Sequence, residues 1–386
     1  MTTITVADGY AFVHPKLDLS LAFTADLTER LPTALQFALN ATTQLRLTGA
    51  NFVYDRGGHP TDGLVTAIQA AAADGAPAFT LTDAHLDLGD LFAADPTARA
   101  STARIALFAG DDSITGGSKD DYFNVQGGHD VVMGGAGFDT ISGGPGNDHL
   151  YGQSPDGGPD GSDIIEGNDG SDYIQGNAGN DDLDGGLGSD RISGGADNDY
   201  IFGGMGNDTV NGNKGNDIID GWDGNDFLRG GQGNDNLRGG AGYNVVMGDL
   251  GDDTIDAQTG TDTLTGGEGA DLFIMRSFAA PPADRSELSV ITDFTHDEDR
   301  IKFSGIMGAE IETVLSGTAD SYEAAIQQAK AMMAAHAGYN EIAAVQVGSD
   351  TYLFSTGMPS SDIPKDSVMA LNTLATDFEI GDFVIR

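Results

Sequence analysis

From Gly158 to Ile274 the sequence repeats every nine residues without a slip, giving 13 consecutive units. GGMGNDTVN at 203–211, for example, is followed by GNKGNDIID, GWDGNDFLR and GGQGNDNLR. Five more units run from Leu107 to Tyr151, so 18 are present, split into two arrays by a six-residue insertion at 152–157. A period this strict restricts the chain to a stack of like units, none of which buries its apolar side chain alone. The eighth position is apolar in all 18 units, as at Ile114, Ile174, Val210 and Phe273. It reads as the inward side chain of a short strand whose seventh and ninth residues point outward. Glycine recurs at positions one, two and four, where it permits backbone conformations closed to other residues.

Position six is aspartate in 17 of the 18 units. In the first array these are Asp112, Asp121, Asp130, Asp139 and Asp148. In the second they are Asp163, Asp172, Asp181, Asp190, Asp199, Asp208, Asp217, Asp226, Asp235, Asp253, Asp262 and Asp271, with Asn244 the one departure. Turn aspartates often do no more than accept backbone N–H bonds. Here, however, carboxylates stacked every second unit repel one another unless a cation lies between them.

Composition supports a cation partner and excludes others. The chain of 386 residues carries 60 acidic against 18 basic residues, a formal charge of −42. Residues 107–274 hold 43 of the 57 glycines and −27 of that charge, whereas 1–106 and 275–386 have ordinary composition. Such a balance repels nucleic acid and anionic lipid. It is also the composition of many disordered chains, and the strict spacing argues against that here. Cysteine is absent, so disulfide and thiolate chemistry are excluded. The first 30 residues show no basic start followed by an apolar run, so no conventional secretory leader is expected. No transmembrane segment is expected either, since no stretch of about 18 apolar residues occurs.

The nonapeptide matches the GGxGxDxUx signature and resembles the repeats of RTX, or haemolysin-type, secreted proteins. That resemblance implies a parallel β-roll in which two units make one coil, so 18 units give about nine coils and a roll of ~43 Å. It also implies calcium at the turns, held by the sixth-position aspartates and backbone carbonyls, an oxygen set that suits calcium better than magnesium or softer metals. Units with Lys119 or Asp197 in place of the fourth glycine, and the unit of Asn244, are expected to bind weakly or not at all.

After the array, GADLFIMRSF at 269–278 and VITDFTHDEDRIKFSGI at 290–306 resemble the segment that follows the roll in serralysin-type proteins. The resemblance implies closure of the roll by longer antiparallel strands. Asp293, Asp297 and Asp299 crowd one turn there, as a further cation site or as an acidic hairpin turn. A helix is expected next, with Asp320 and Glu323 at capping-box spacing, Ile326, Ala329, Met333 and Ala337 on one face, and Gly338 as its terminator. IAAVQV and TYLF, separated by Gly348, Ser349 and Asp350, read as a hairpin. Asp382-Phe383-Val384-Ile385-Arg386 resembles the end of chains exported by type I secretion machinery.

Residues 1–106 read as a small β-rich domain. LRLTGANFVYD at 45–55 alternates, GGHP at 57–60 marks a turn, and Val65–Ile68 and Phe79–Leu81 form further strands. Arg104–Phe108 is expected to lead into the roll, and Leu31–Leu39 is a candidate short helix against which Thr28, Thr33 and Thr42 weigh. The expected fold class is therefore mainly β, a parallel β-roll between this domain and a C-terminal β cap containing one helix.

Enzyme signatures are missing. No HExxH zinc motif and no GxSxG nucleophile elbow occurs, and Ser154 in GQSPDG is only a near miss. The seven histidines are scattered, and His129 and His149 fall at variable repeat positions. The expectation is a non-enzymatic, secreted calcium-binding protein that assembles with its own copies as a surface layer, filament or matrix, with cell-surface polysaccharide as a further partner. The alternative is an RTX-type enzyme or adhesin with an unrecognised activity in residues 1–106.

Overall fold

The computed structural model describes residues 3–6, 26–31, 34–38, 43–54, 60–72, 77–87, 110–116, 120–153, 161–275, 285–303, 313–336, 341–355 and 366–370, with 373, 378–379 and 382–383. The chain forms two compact units, Met1–Leu187 and Gly188–Arg386. The roll candidates Leu107 and Lys119, the Arg104–Phe108 strand, the residues Ala337 and Gly338 and the terminal Val384–Arg386 lie outside the described residues.

In the first unit, strands Thr43–Tyr54, Pro60–Ala72 and Pro77–Asp87 pair antiparallel in succession. Ala34–Ala38 is a strand, not a helix, paired antiparallel with Asp26–Leu31 on one side and Thr43–Tyr54 on the other. Cross-strand pairing outweighs the weak helical spacing of a five-residue segment. Strand Thr3–Val6 joins this meander to the repeats, antiparallel to Pro77–Asp87 and parallel to Ser113–Thr115.

The repeats themselves build two parallel ladders. One face of the first unit runs Ser113–Thr115, Val131–Gly135, His149–Gln153 and Tyr173–Ala178. The opposite face runs Tyr122–Asn124, Thr140–Pro145, Ile164–Asp169 and Asp182–Leu187. Partners are 18 residues apart, as in Ser113↔Val131, so two nonapeptides make one coil. Across the insertion the offset becomes 24, as in Thr140↔Ile164, and the register is otherwise unchanged.

The second unit repeats this arrangement from Arg191–Ala196 to Thr263–Glu268 on one face, and from Tyr200–Met205 to Leu272–Met275 on the other. Eighth-position side chains from Ile114 to Phe273 are all buried and form the core of the roll. Each contributes about 1.5–3 kcal/mol of burial. Beyond the repeats, Val290–Ile291 and Arg300–Phe303 add one more parallel strand to each face. The first closing strands are thus parallel, and antiparallel pairing appears only further on, where Asp350–Ser355 pairs with Glu341–Val347 and with Asp366–Ala370. Gly348, at φ 68°, makes the turn expected between the two strands of the hairpin.

Helix α1, Tyr322–His336, lies where the sequence places it, but its N-cap is Ser321 rather than Asp320. The Ala324 N–H donates to Ser321 Oγ at 3.2 Å. Tyr322, Ala325, Ala329 and Met333 pack on Leu288, Ala343, Val345, Tyr352 and Phe354 as a separate apolar core. Among the described residues, no helix is long and apolar enough to cross a membrane.

Candidate metal centre: two buried carboxylate columns

The turn before each strand has a fixed backbone plan. Position four requires a φ reserved for glycine: Gly206 sits at +135°, and a Cβ there would collide with the carbonyl of Gly188. Asp197, in the same position, survives by moving to φ 75°. Position two is left-handed but tolerates side chains, as at Asn168 (φ 77°) and Trp222 (φ 69°). Position one is glycine for a different reason than the one the sequence suggested. A Cβ on Gly203 would sit 2.7 Å from Asp208 Oδ2 and 3.0 Å from the carbonyl oxygen of Gly221. On Gly221 it would sit 2.6 Å from both Asp226 Oδ2 and the carbonyl oxygen of Gly239. A carboxylate oxygen and a carbonyl oxygen of the next coil therefore converge on the space the missing side chain leaves.

All 17 sixth-position aspartates, and Asn244, are buried, none more than 3% exposed. Within each unit they stack into one column per face. Oδ1 of each accepts the N–H of the sixth residue one coil earlier. Asp190 N–H donates to Asp208, Asp208 N–H to Asp226 and Asp226 N–H to Asn244 Oδ1, at 2.8–2.9 Å. On the other face Asp199 donates to Asp217, Asp217 to Asp235 and Asp235 to Asp253. The first unit repeats the ladder through Asp112, Asp130, Asp148 and Asp172, and through Asp121, Asp139, Asp163 and Asp181.

The second oxygen is left over. Oδ2 of Asp130, Asp148, Asp208, Asp217, Asp226, Asp235, Asp253, Asp262 and Asp271 is buried without a hydrogen-bond partner. A buried, half-satisfied carboxylate is costly, by several kcal/mol if ionised. Protonation responds accordingly. Burial pushes Asp130 up to about 8, against the Asp112 N–H, and the charges of Asp148, Asp112 and Asp111 push the same way. Burial likewise raises Asp226 and Asp253 to about 7, and Asp148, Asp235, Asp262 and Asp271 to about 6.

These residues fit calcium. The orphaned oxygens are hard anionic donors, and the glycine carbonyls beside them are neutral oxygen donors, the mixture calcium takes six to eight at a time. No three acidic or histidine side chains converge among the described residues. Carbonyls must therefore supply most of each coordination sphere, with carboxylates one per coil on each face. Bound calcium supplies the counter-charge that the columns lack.

Beyond the last repeat carboxylates, each column closes on a residue of the following segment. On one face Asp262 N–H donates to Ser289 Oγ, a neutral partner. On the other Asp271 N–H donates to Asp299 Oδ1, and Asp299 Oδ2 accepts the Thr295 N–H at 2.7 Å. Asp293 accepts the N–H groups of Gly266 and Gly267, and the side chain of Asp297 is 85% exposed. Asp293, Asp297 and Asp299 thus serve separate tasks in one turn. Asn244 keeps its column continuous through Oδ1 but presents Nδ2, a donor, where its neighbours present an acceptor.

One set of residues escaped the sequence reading. Position five runs an outer ladder of opposite polarity, in which Asn207 Oδ1 accepts the Asn225 N–H and Asn225 Oδ1 accepts the Tyr243 N–H, both at 2.8 Å. Asn198, Asn216 and Asn234 continue it on the other face. The recurrence of asparagine at that position was the available signal.

The family comparison agrees with this geometry. The model of the RTX calcium-binding nonapeptide repeat (4 copies) matches residues 108–141, 125–154, 158–192, 185–219, 203–237 and 238–273. No curated protein matches the chain. Among solved structures, the solution structure of the AlgE6R3 subunit from the Azotobacter vinelandii mannuronan C5-epimerase is similar over 49% of this chain and 78% of its own, at 20% identity and a TM-score of 0.22. The two ladders are a parallel β-roll, and the turns that carry the carboxylate columns match the RTX calcium-binding nonapeptide repeat.

Proposed function

We propose that this is a secreted, non-enzymatic structural protein that leaves the cell unfolded, folds on meeting calcium outside, and assembles with its own copies at the cell surface. The observation that carries the reading is the row of buried carboxylate oxygens with no donor. Calcium sites of extracellular modules bind on the order of 10⁻⁴ to 10⁻³ M. Cytosolic calcium leaves such sites empty, and a segment of −27 charge then stays open. Folding thereby coincides with arrival in a calcium-rich medium. Type I machinery is the route that suits export of an open chain of this kind.

Support for assembly comes from one face of the second unit. Tyr200 and Ile218 are paired in register, and the Tyr200 and Phe202 rings meet edge to face at 4.8 Å. Trp222 lies on the same strand as Ile218 and is 54% exposed. Once calcium offsets the net charge, this patch is free to make contacts between copies. Electron microscopy of the purified chain with and without millimolar calcium tests the proposal. Ordered assemblies are expected only with calcium, and replacement of both Tyr200 and Phe202 by serine should reduce them while leaving calcium-induced folding intact. A wild-type chain that stays monomeric in calcium at high concentration contradicts assembly.

A further inference from the structure

The second position of the repeat shapes the outer relief of the roll. On one face of the first unit it is occupied in turn by Gln126, Gly144 and Asn168. Gly144 is in register with Asn168, and a Cβ on it would collide with the Gln126 carbonyl. The glycine therefore forms the floor of a furrow between two amide side chains, whose strands are roughly 9.6 Å apart, twice the strand spacing. The resulting groove has a volume of about 410 Å³, and Asn124, Gly127, Ser142 and Pro145 complete its lining. That volume lies within the range of small-ligand sites.

No lining side chain is charged, in a repeat segment that carries −27. The amides are held in place from within. Gln126 Nε2 donates to Asn124 Oδ1 at 2.8 Å, which leaves Asn124 Nδ2 and Gln126 Oε1 facing outward bonds. Asn168 Nδ2 donates to Ser142 Oγ at 3.1 Å and to the Glu166 carbonyl at 3.2 Å, which leaves Asn168 Oδ1 and the Ser142 hydroxyl hydrogen. The groove thus offers donors and acceptors in alternation, all neutral, beside the exposed ring of Pro145. A metal ion finds no carboxylate there, and an anion finds no cation. A ring of vicinal hydroxyls, each both donor and acceptor, matches on every count.

We propose that this groove is a binding subsite for a neutral saccharide. At one other glycine of this kind the relief carries charge. In the second unit Gly231 lies in register between Asn213 and Asp249, and the Arg229–Asp249 ion pair spans that furrow. The subsite requires the folded roll and is independent of self-assembly.

The left-handed backbone at Gln126 and Asn168 provides a clean test, because glycine adopts φ 69° and φ 77° without strain. The full chain in millimolar calcium, taken as the monomer from gel filtration, is applied to an array of neutral hexose oligosaccharides with uronate and sialylated members as controls. Wild-type protein should bind at least one neutral class, and Q126G with N168G should weaken that binding about tenfold or more, with calcium-induced circular dichroism unchanged. If that pair of changes perturbs folding, N124A with S142A serves the same purpose at ordinary backbone angles. Absence of binding to every neutral member, preference for the anionic members, or binding undiminished in the folded variants would overturn the proposal. Loss of assembly without loss of saccharide binding would count against the assembly reading alone.

Discussion

Within Gly188–Arg386, the repeat strands and the cap that follows them handle buried charge in opposite ways. In the cap, Asp299 and Asp382 are as buried as any aspartate of the roll. Asp299 has an N–H on each oxygen, and Asp382 accepts the Glu379 N–H and faces the His296 ring at 3.2 Å. The cap has an apolar core of its own, with Tyr322, Met333, Tyr352 and Phe354 among its members. In the roll, every coil buries an apolar side chain and a sixth-position side chain per face, and Oδ2 of Asp208, Asp217, Asp226, Asp235, Asp253, Asp262 and Asp271 faces no donor. Among the described residues of the cap, the buried carboxylates of Asp299 and Asp382 are therefore satisfied by protein atoms. The roll is complete only with a cation, so calcium belongs to its core as much as Val210 or Leu228 does.

The largest expected way to break this contrast is to remove a column carboxylate. Asp208→Ala deletes the hydrogen bond from Asp190 and an oxygen donor shared by neighbouring coils. It should cost roughly 3–5 kcal/mol of calcium-loaded stability, the range for breaking a buried charge pair. Calcium stoichiometry by calorimetry should fall, while protection of the cap is unaffected. Unchanged stoichiometry would mean the column is not the metal centre.

A smaller effect is expected from pH. The folded-state values of Asp130, Asp226 and Asp253, about 7 to 8, lie above the ordinary aspartate value of 3.8. The calcium-free roll therefore binds more protons than the unfolded chain across that interval, so its stability falls as pH rises through it. Calcium-free protein should gain β ellipticity between pH 8 and pH 5. With calcium present the trend should invert, since protons then compete for the same oxygens. A calcium-free chain equally structured at both pH values would contradict the desolvation account.

The smallest change sharpens the contrast. Asn244→Asp restores an acceptor where Nδ2 now stands and should add one tighter calcium site, worth about tenfold in the affinity of the weakest class. Calorimetry that resolves no added or strengthened site would show that the amide already suffices.

The repeat made the roll legible, because a period of nine assigns each residue a task. Position eight gave the core and position six the columns. What lay off the period was harder to read. Ser289 and Asp299 end the columns at spacings of 27 and 28 rather than 18. Their roles appear only once the extra strands Val290–Ile291 and Arg300–Phe303 are seen to continue the ladders. At α1, two polar residues precede the apolar face, and the choice between Asp320 and Ser321 depends on where the chain enters, which is set by tertiary packing. At Ala34–Ala38 the local spacing is too short to outvote two flanking strands.

Hydrogen exchange of the full chain, followed by mass spectrometry with millimolar calcium and then with excess chelator, tests the central claim most directly. Local stability is read segment by segment in that experiment. With calcium, the repeat strands from Arg191–Ala196 to Leu272–Met275 and the cap strands Glu341–Val347 and Asp350–Ser355 should all be protected. With chelator at neutral pH, the repeats should exchange within seconds while α1 and the cap strands keep their protection. Repeat strands that remain protected without calcium would contradict a roll whose core is completed by the metal.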